Sequence, residues 1–323
     1  MTHRPVNEEA AVRGSKPLIG ITFPINNAGA YSPAELRDWI AAAADAGYDY
    51  VSIGDHVLGM DAAGLSPSTR ERWLSAYPGA EGSVYQVHDT FREPLVLGAF
   101  FAGAGLQLGI VTGVVALPQR QTALFAKQAA EVDNLCGGRL RLGVGAGWNA
   151  IEFAALGANF GRRRAVLAEQ FTLLRRLWTE DALSFTGEFH SIESSGIQLM
   201  PVQRPIPLWL GGDGPKLLEL VGRISDGWHP AGRVQPGAHA QQCLDVVDAA
   251  ARRAGRDPAD IGLEVRIFTA RRTAEEIRQN VQAWAQHRPT MFCVAAGSPD
   301  GRNTLEAHVG ALRRVADVLI TGS

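Results

Sequence analysis

Two neighbours, Asp55 and His56, are the first residues along the chain whose types suggest chemistry. An imidazole exchanges protons near neutral pH, and the adjacent carboxylate can orient it or hold a ligand group. The structural alternative is that Asp55 caps a loop and His56 is an ordinary satisfied polar residue. A second candidate is Gly211-Gly212-Asp213-Gly214-Pro215-Lys216. Its glycines let backbone approach a ligand, and Pro215 opens a helix whose free N–H groups favour an anion. Lys216, one of only three lysines, adds a charge there. A tight turn capped by Asp213 is the plainer reading. A third run, Gly143-Val144-Gly145-Ala146-Gly147-Trp148-Asn149, is equally glycine-rich, and His229 follows Asp226-Gly227-Trp228 as a residue lining or packing a site wall.

Other charged groups read as structural. Arg162-Arg163-Arg164 opens a helix and suggests solvation or bridging to neighbours such as Glu169, rather than an anchor for an acidic cofactor tail. Glu264 and Arg266 share one face of a strand opposite Leu263, Val265 and Ile267, which suggests an internal pair. No His, Asp, Glu or Cys set has metal-ligand spacing, and no Ser or Cys sits in a nucleophile elbow. Cys136, Cys243 and Cys293 are odd in number and unpaired in spacing, which argues against a disulfide framework and fits a reducing cytoplasm.

The elements that must position these groups alternate along the chain. Leu18–Phe23 reads as a strand, Ser32-Pro33-Ala34-Glu35 as a capping box opening a helix, and Tyr48–Ile53 as the next strand, ending in Gly54-Asp55-His56. Strands near residues 18, 48, 106, 140, 207, 226, 261 and 291 are each followed by a helix. Eight such units in about 300 residues is the (β/α)₈ barrel count. An open doubly wound sheet is the rival, but the turn after the first strand lacks its glycine signature. Two inserts, 57–92 and 180–206, follow strands two and four; the second reads as a small hairpin around Thr186-Gly187. Trp73, Tyr77, Tyr85 and His88 in the first are read as lid packing, or else as pocket lining. The expected organisation is a flexible arm, 1–17, and one barrel domain, 18–323. In a barrel the site lies at the C-terminal strand ends. That rule selects Asp55 and His56, Thr112-Gly113-Val114, the Gly143–Asn149 run, the Gly211–Gly214 loop and His229.

Composition removes several function classes. The 31 basic and 33 acidic residues give a net charge of −2, so there is no cationic excess to displace counterions from nucleic acid. Residues 1–16 are polar and lack the apolar stretch of a signal peptide. Between Glu93 and Arg120 there is no charge, yet five glycines and flanking prolines break the run into a helix, a turn and a buried strand, so no membrane span is expected. The 36 glycines read as strand–helix turns together with clearance for a ligand.

Taken together, the motifs resemble the luciferase-like superfamily of flavin- and coenzyme F420-dependent oxidoreductases. They are Gly54-Asp55-His56; Gly109-Ile110-Val111-Thr112-Gly113-Val114; Ala129-Ala130-Glu131-Val132-Asp133 with Gly137-Gly138-Arg139-Leu140; Leu142–Trp148; Pro207-Leu208-Trp209-Leu210-Gly211-Gly212; and Ser225-Asp226-Gly227-Trp228. The resemblance runs from about residue 18 to 232. It implies a planar tricyclic cofactor across the barrel mouth, resting on a strand-three bulge at Thr112-Gly113-Val114, often with a non-proline cis peptide. It further implies a phosphate loop at Gly211, Gly212, Asp213 and Gly214, clearance at Gly145 and Gly147, and Asp55 touching the deazaflavin. His56 would be proton donor or acceptor. The sugar-phosphate dehydrogenase branch places a glutamate acid where this chain reads Ala146-Gly147-Trp148. Trp148 and His229 are therefore expected to wall an apolar or aromatic substrate pocket. The leading expectation is F420-dependent hydride transfer with a small organic substrate. An FMN-dependent monooxygenase activating oxygen is the first alternative, and a non-catalytic flavin-binding barrel the second. A homodimer through barrel helices is also implied.

Overall fold

The computed structural model describes residues 16–25, 31–61, 63–76, 86–297 and 301–322. Residues 1–15 of the expected arm, Tyr77, Tyr85 and the side chain of Trp73 lie outside them. The strands in chain order are β1 (Leu18–Thr22), β2 (Tyr50–Ile53), β3 (Gly109–Ala116), β4 (Leu140–Gly145), β5 (Leu183–Thr186), β6 (Ser191–Ser195), β7 (Leu208–Gly211), β8 (Gly227–His229), β9 (Gly262–Phe268) and β10 (Met291–Ala295). Eight of them close into a parallel barrel ordered β1-β10-β9-β8-β7-β4-β3-β2, while β5 and β6 pair antiparallel on their own. The expected (β/α)₈ architecture is therefore present, and β1 closes it by pairing β2 on one side (Ile21↔Val51) and the last strand, β10, on the other (Ile21↔Val294).

The helices are α1 (Pro33–Asp45), α2 (Pro67–Ala76), α3 (Pro94–Ala102), α4 (Thr122–Leu135), α5 (Ala150–Ala155), α6 (Arg163–Leu177), α7 (Pro215–Ile224), α8 (Ala238–Arg253), α9 (Ala274–Ala285) and α10 (Leu305–Ala316). Their starts follow the sequence signals. Ser32 and Glu35 close a reciprocal capping box on α1, and Thr273 and Glu276 do so on α9, each satisfying N–H groups that a helix start leaves open. The uncharged stretch divides into α3, capped by Glu93, and β3. Among the described residues no helix is long and apolar enough to cross a membrane.

The first insert contains the helix α2. The second lies between α6 and β7 and forms the expected hairpin around Thr186-Gly187, which packs outside the helix layer. Glu169 of α6 accepts from the Glu188 and Phe189 N–H groups and from His190 Nδ1 (2.7 Å), and His190 Nε2 meets Thr122 at the start of α4 (2.6 Å). The hairpin therefore braces helices, and none of its described contacts reaches His56. Arg162 pairs with Glu188 at its tip, not with Glu169.

The outward strand faces are aliphatic and pack the helices, for example through Ile21, Val51, Ile110, Leu142, Leu208 and Val265. The barrel interior is different. Tyr50, Arg141, Trp209, His229 and Glu264 fill it, all buried. Such bulk requires bare backbone opposite. A Cβ at Gly20 would collide with the Tyr50 ring, and one at Gly227 or Gly262 with the Trp209 indole. Gly20, Gly227 and Gly262 are thus interior spacers and not turn residues.

Candidate active site

The rim is set by the junction of β2 and β3, whose register pairs Ile53 with Thr112. Just beyond Thr112 the β3–β4 register shifts, and the Gly113–Val114 peptide is cis. This is the bulge expected at Thr112-Gly113-Val114. Gly113 and Val114 are half-buried and face the mouth, whereas Thr112 is fully buried and donates its hydroxyl to the Gly143 carbonyl (2.7 Å). Thr112 therefore shapes the bulge and offers a ligand no side chain. Glycines surround the Val114 side chain: Cβ atoms at Gly143 and Gly145 would each lie 3.3 Å from a Val114 methyl, and one at Gly211 would lie 2.9 Å away. The glycines of β4 and β7 clear Val114 first, and a ligand only above it.

Asp55 does not orient His56. Its Oδ1 accepts from Arg120 Nη2 (2.7 Å) and its Oδ2 from the Ala116 N–H (3.2 Å), which ties the loop after β2 to the end of β3. Burial pushes the Asp55 carboxyl up, with Arg120 opposing that shift. The residue that orients His56 is Glu152. His56 Nδ1 lies 2.9 Å from Glu152 Oε1, which also accepts the Val57 and Leu58 N–H groups at 3.0 and 3.2 Å. Gln119 Nε2 holds the other oxygen at 3.1 Å. Burial alone would raise the Glu152 carboxyl, but the bond and charge of His56, with Gln119 and Leu58, hold it below its ordinary value. An ionised carboxylate only accepts, so His56 donates from Nδ1.

Glu152 was missed because its local pattern points elsewhere. Asn149 caps α5 by accepting from the Ile151 N–H, and Glu152 stands at the third helical position, where a capping-box glutamate would turn back. It reaches across the mouth to His56 instead, ninety-six residues away in sequence.

Around His56 the wall is aromatic. Its ring lies 4.9 Å from Phe91 and 5.7 Å from Trp148, both edge-on. Trp148 with Ile151 and Leu65 packs on the buried Met60. Trp148 thus links the His56 ring to the packing around Met60. His88 of the same insert is exposed.

His229 is not on the wall. It is 6% exposed, with Nδ1 3.2 Å from Glu264 Oε2 and Nε2 3.3 Å from Arg266 Nη2. Burial lowers its pKa, with Glu264 opposing. Glu264 pairs not with Arg266, as the strand face suggested, but with Arg141 (3.2 Å) and the Tyr50 hydroxyl (2.9 Å). Although burial would raise it, Arg141 and His229 hold Glu264 well below the usual carboxylate range.

Farther round the same rim the Gly211–Gly214 loop leads into α7. Gly214 is the cap and no side chain bonds the helix start, so the Asp213 cap is absent; Asp213 pairs with the exposed Arg233 instead. Trp228 Nε1 holds the Gly212 carbonyl at 2.7 Å. Arg163 is spent on the Gly147 and Phe160 carbonyls. These residues fit a planar ring with a phosphorylated tail: an accessible bulge for the ring, and an uncapped helix start with Lys216 beside it for the anion. Among the described residues no group of three or more His, Cys, Asp or Glu is placed to hold a metal ion.

Comparison with known proteins covers this whole barrel. The family model described as luciferase-like monooxygenase matches residues 19–314. The F420-dependent glucose-6-phosphate dehydrogenase of Nakamurella multipartita is 27% identical over 260 residues, 79% of this chain and 69% of that one. The FMNH2-dependent dimethylsulfone monooxygenase of Pseudomonas putida is 30% identical over 194 residues, 59% of this chain and 52% of its own length. The solved structure of the coenzyme F420-dependent tetrahydromethanopterin reductase of Methanopyrus kandleri superposes with a TM-score of 0.69 at 14% identity, covering 95% and 99% of the two chains, a likeness of fold.

Proposed function

The chain belongs to the luciferase-like monooxygenase family and is an oxidoreductase, and from that premise we propose that it transfers a hydride between coenzyme F420 and a small organic substrate. The observation that carries this reading is the pairing of His56 with Glu152 on the rim next to the Gly113–Val114 bulge. When bound, a deazaflavin would supply or accept the hydride. The protein's part would be to hold the ring on the bulge and to seat the tail anion at the start of α7 on the backbone of Gly211, Gly212, Asp213 and Gly214, with Gly145 and Gly147 left as bare backbone. Asp55, with both oxygens bonded to Arg120 and the Ala116 N–H, would hold the loop that carries His56 against the end of β3. His56 Nε2 takes or returns the proton that accompanies the hydride, and Phe91 and Trp148 exclude water from it. The apolar wall favours a neutral substrate over a sugar phosphate.

An FMN-dependent monooxygenase is the second reading, favoured by the relative that uses reduced FMN. The two separate by titration of the purified protein with F420 and with FMN, followed by fluorescence. Binding of F420 in the micromolar range with FMN at least tenfold weaker is the expected result. Tight FMN binding without F420 binding would overturn the first reading in favour of the second. Binding of neither removes both.

The chain is further proposed to act as a homodimer. The surface of α3 carries no charge, and Val96 on it is 69% exposed. Sedimentation velocity should show a species of twice the chain mass, and Val96→Asp should shift it toward monomer. A wild-type monomer at micromolar concentration would sink this part.

A further inference from the structure

The loop that carries His56 is gripped on both sides by one turn. Residues Leu117–Gln119 form a single 3₁₀ turn after β3, and Arg120 follows it. On one side of His56, Asp55 accepts from the Ala116 N–H and from Arg120 Nη2, while Arg120 Nη1 meets Glu93 Oε1 at 2.8 Å. On the other side, the Val57 and Leu58 N–H groups and the imidazole itself rest on one oxygen of Glu152, and Gln119 Nε2 holds the second. Consecutive side chains of the turn therefore hold the two carboxylates that bond the loop. The turn is not fixed by its own sequence, because Gln121 caps α4 without a side-chain bond. It is fixed by Gln170 of α6, which is fully buried. Gln170 Nε2 lies 3.2 Å from the Leu117 carbonyl, 3.3 Å from that of Arg120 and 3.0 Å from Thr122 Oγ1. Thr122 is also the residue that meets His190 of the hairpin. A line of hydrogen bonds thus runs from the hairpin through Thr122 and Gln170 to the turn, and from the turn to His56.

We propose that Gln119 and Arg120 are positioning residues for His56, and that Gln170 and the hairpin behind it hold the turn from which they act. An imidazole that exchanges a proton has to be kept in place closely, since a misplacement of about 1 Å can cost on the order of 10²-fold in rate. A carboxylate bonded only to the loop could swing about its own torsions and carry the loop with it. A second donor on each, Arg120 on Asp55 and Gln119 on Glu152, removes that freedom. Because both donors stand on one short turn, the spacing of the two carboxylates is set as well. Arg120 also favours the ionised form of Asp55 against the effect of burial, and that form accepts on both oxygens. This rests on the reading that His56 exchanges the proton of the reaction.

The test is which imidazole nitrogen of His56 carries the proton, read from long-range ¹H–¹⁵N spectra of protein labelled at histidine, with His56→Asn identifying the signals. It needs neither cofactor nor substrate. Wild-type protein is expected to show one His56 tautomer, protonated on Nδ1 toward Glu152. In Arg120→Met and in Gln119→Met the signals should move toward a mixture of both tautomers. Arg120→Lys keeps the charge and a donor, so it should restore most of the single tautomer. With F420 and a panel of secondary alcohols, ketones and enones, kcat should fall about 10²-fold in Arg120→Met and about tenfold in Gln119→Met, with the affinity for F420 unchanged. If Arg120→Met does not fold, Gln119→Met decides. The wild-type tautomer in the folded Met variants overturns the proposal, and weakened F420 binding in its place would assign Asp55 and Arg120 to the cofactor. Mixed tautomers with unaltered turnover would leave the positioning standing and overturn the reading of His56 as the proton-exchanging group.

Discussion

His56→Asn is expected to lower kcat/KM by about 10²–10⁴-fold, the usual contribution of a positioned acid or base, with the affinity for the cofactor unchanged. Asparagine keeps a donor toward Glu152 and occupies similar space, so the change isolates proton exchange. Glu152→Gln should have a smaller effect, roughly 10-fold to 10²-fold, because it disturbs the placement of the imidazole and not its presence. The Val57 and Leu58 N–H groups can still be satisfied by the amide oxygen, which keeps the loop after β2 in place. Steady-state rates over a panel of secondary alcohols, ketones and enones, with F420 as partner, decide the matter. Unaltered turnover in a His56→Asn variant that binds cofactor normally would remove His56 from the chemistry. The same result for Glu152→Gln alone would leave His56 in place and show that Phe91 and Trp148 suffice to hold its ring.

The second large effect is on stability. Glu264 is 1% exposed and is the carboxylate that compensates Arg141, also 1% exposed. Arg141 Nε and Nη1 already lack hydrogen-bond partners. Removing Glu264 leaves an uncompensated buried cation, an orphaned Tyr50 hydroxyl and an unbonded His229 Nδ1. Glu264→Ala is expected to destabilise the fold by about 3–5 kcal/mol. The paired change Glu264→Leu with Arg141→Met, which removes both charges and fills the space, is expected to recover most of the loss. Urea unfolding followed by circular dichroism measures both. A loss under about 1 kcal/mol for Glu264→Ala would mean that the interior is wet enough to solvate Arg141.

How far each residue could be read depended on how local its cause is. The capping boxes of α1 and α9 are complete within four residues, so Ser32, Glu35, Thr273 and Glu276 announced them. The β–α alternation is a matter of period and punctuation, and the barrel followed from counting it. The bulge at Gly113–Val114 and the position of Asp55 and His56 came from resemblance joined to the rule for barrel strand ends, and the geometry places all of them on the rim. The errors are long-range. Glu152 carries the signature of a helix cap, Asp55 stands next to His56 in sequence but bonds Arg120, and Glu264 shares a strand face with Arg266 but pairs across the barrel with Arg141. Side chains two apart on a strand point the same way without touching, and the closed sheet offers each a nearer partner from another strand.

The glycines show the same division. Their number was plain from composition, and turns account for some, such as Gly47 and Gly137 at positive φ. The position of Gly20, Gly227 and Gly262 against Tyr50 and Trp209 has no local signal, because the rings they accommodate arrive from other strands. By itself the sequence determined the order of elements, the closed α/β architecture and the rim on which chemistry would fall, since these follow from periodicity and from strand direction. The tertiary structure alone decided which carboxylate serves His56, what fills the barrel, and which cation Glu264 pairs with. Those outcomes depend on distances between groups far apart in the chain, and only closure of the barrel sets them.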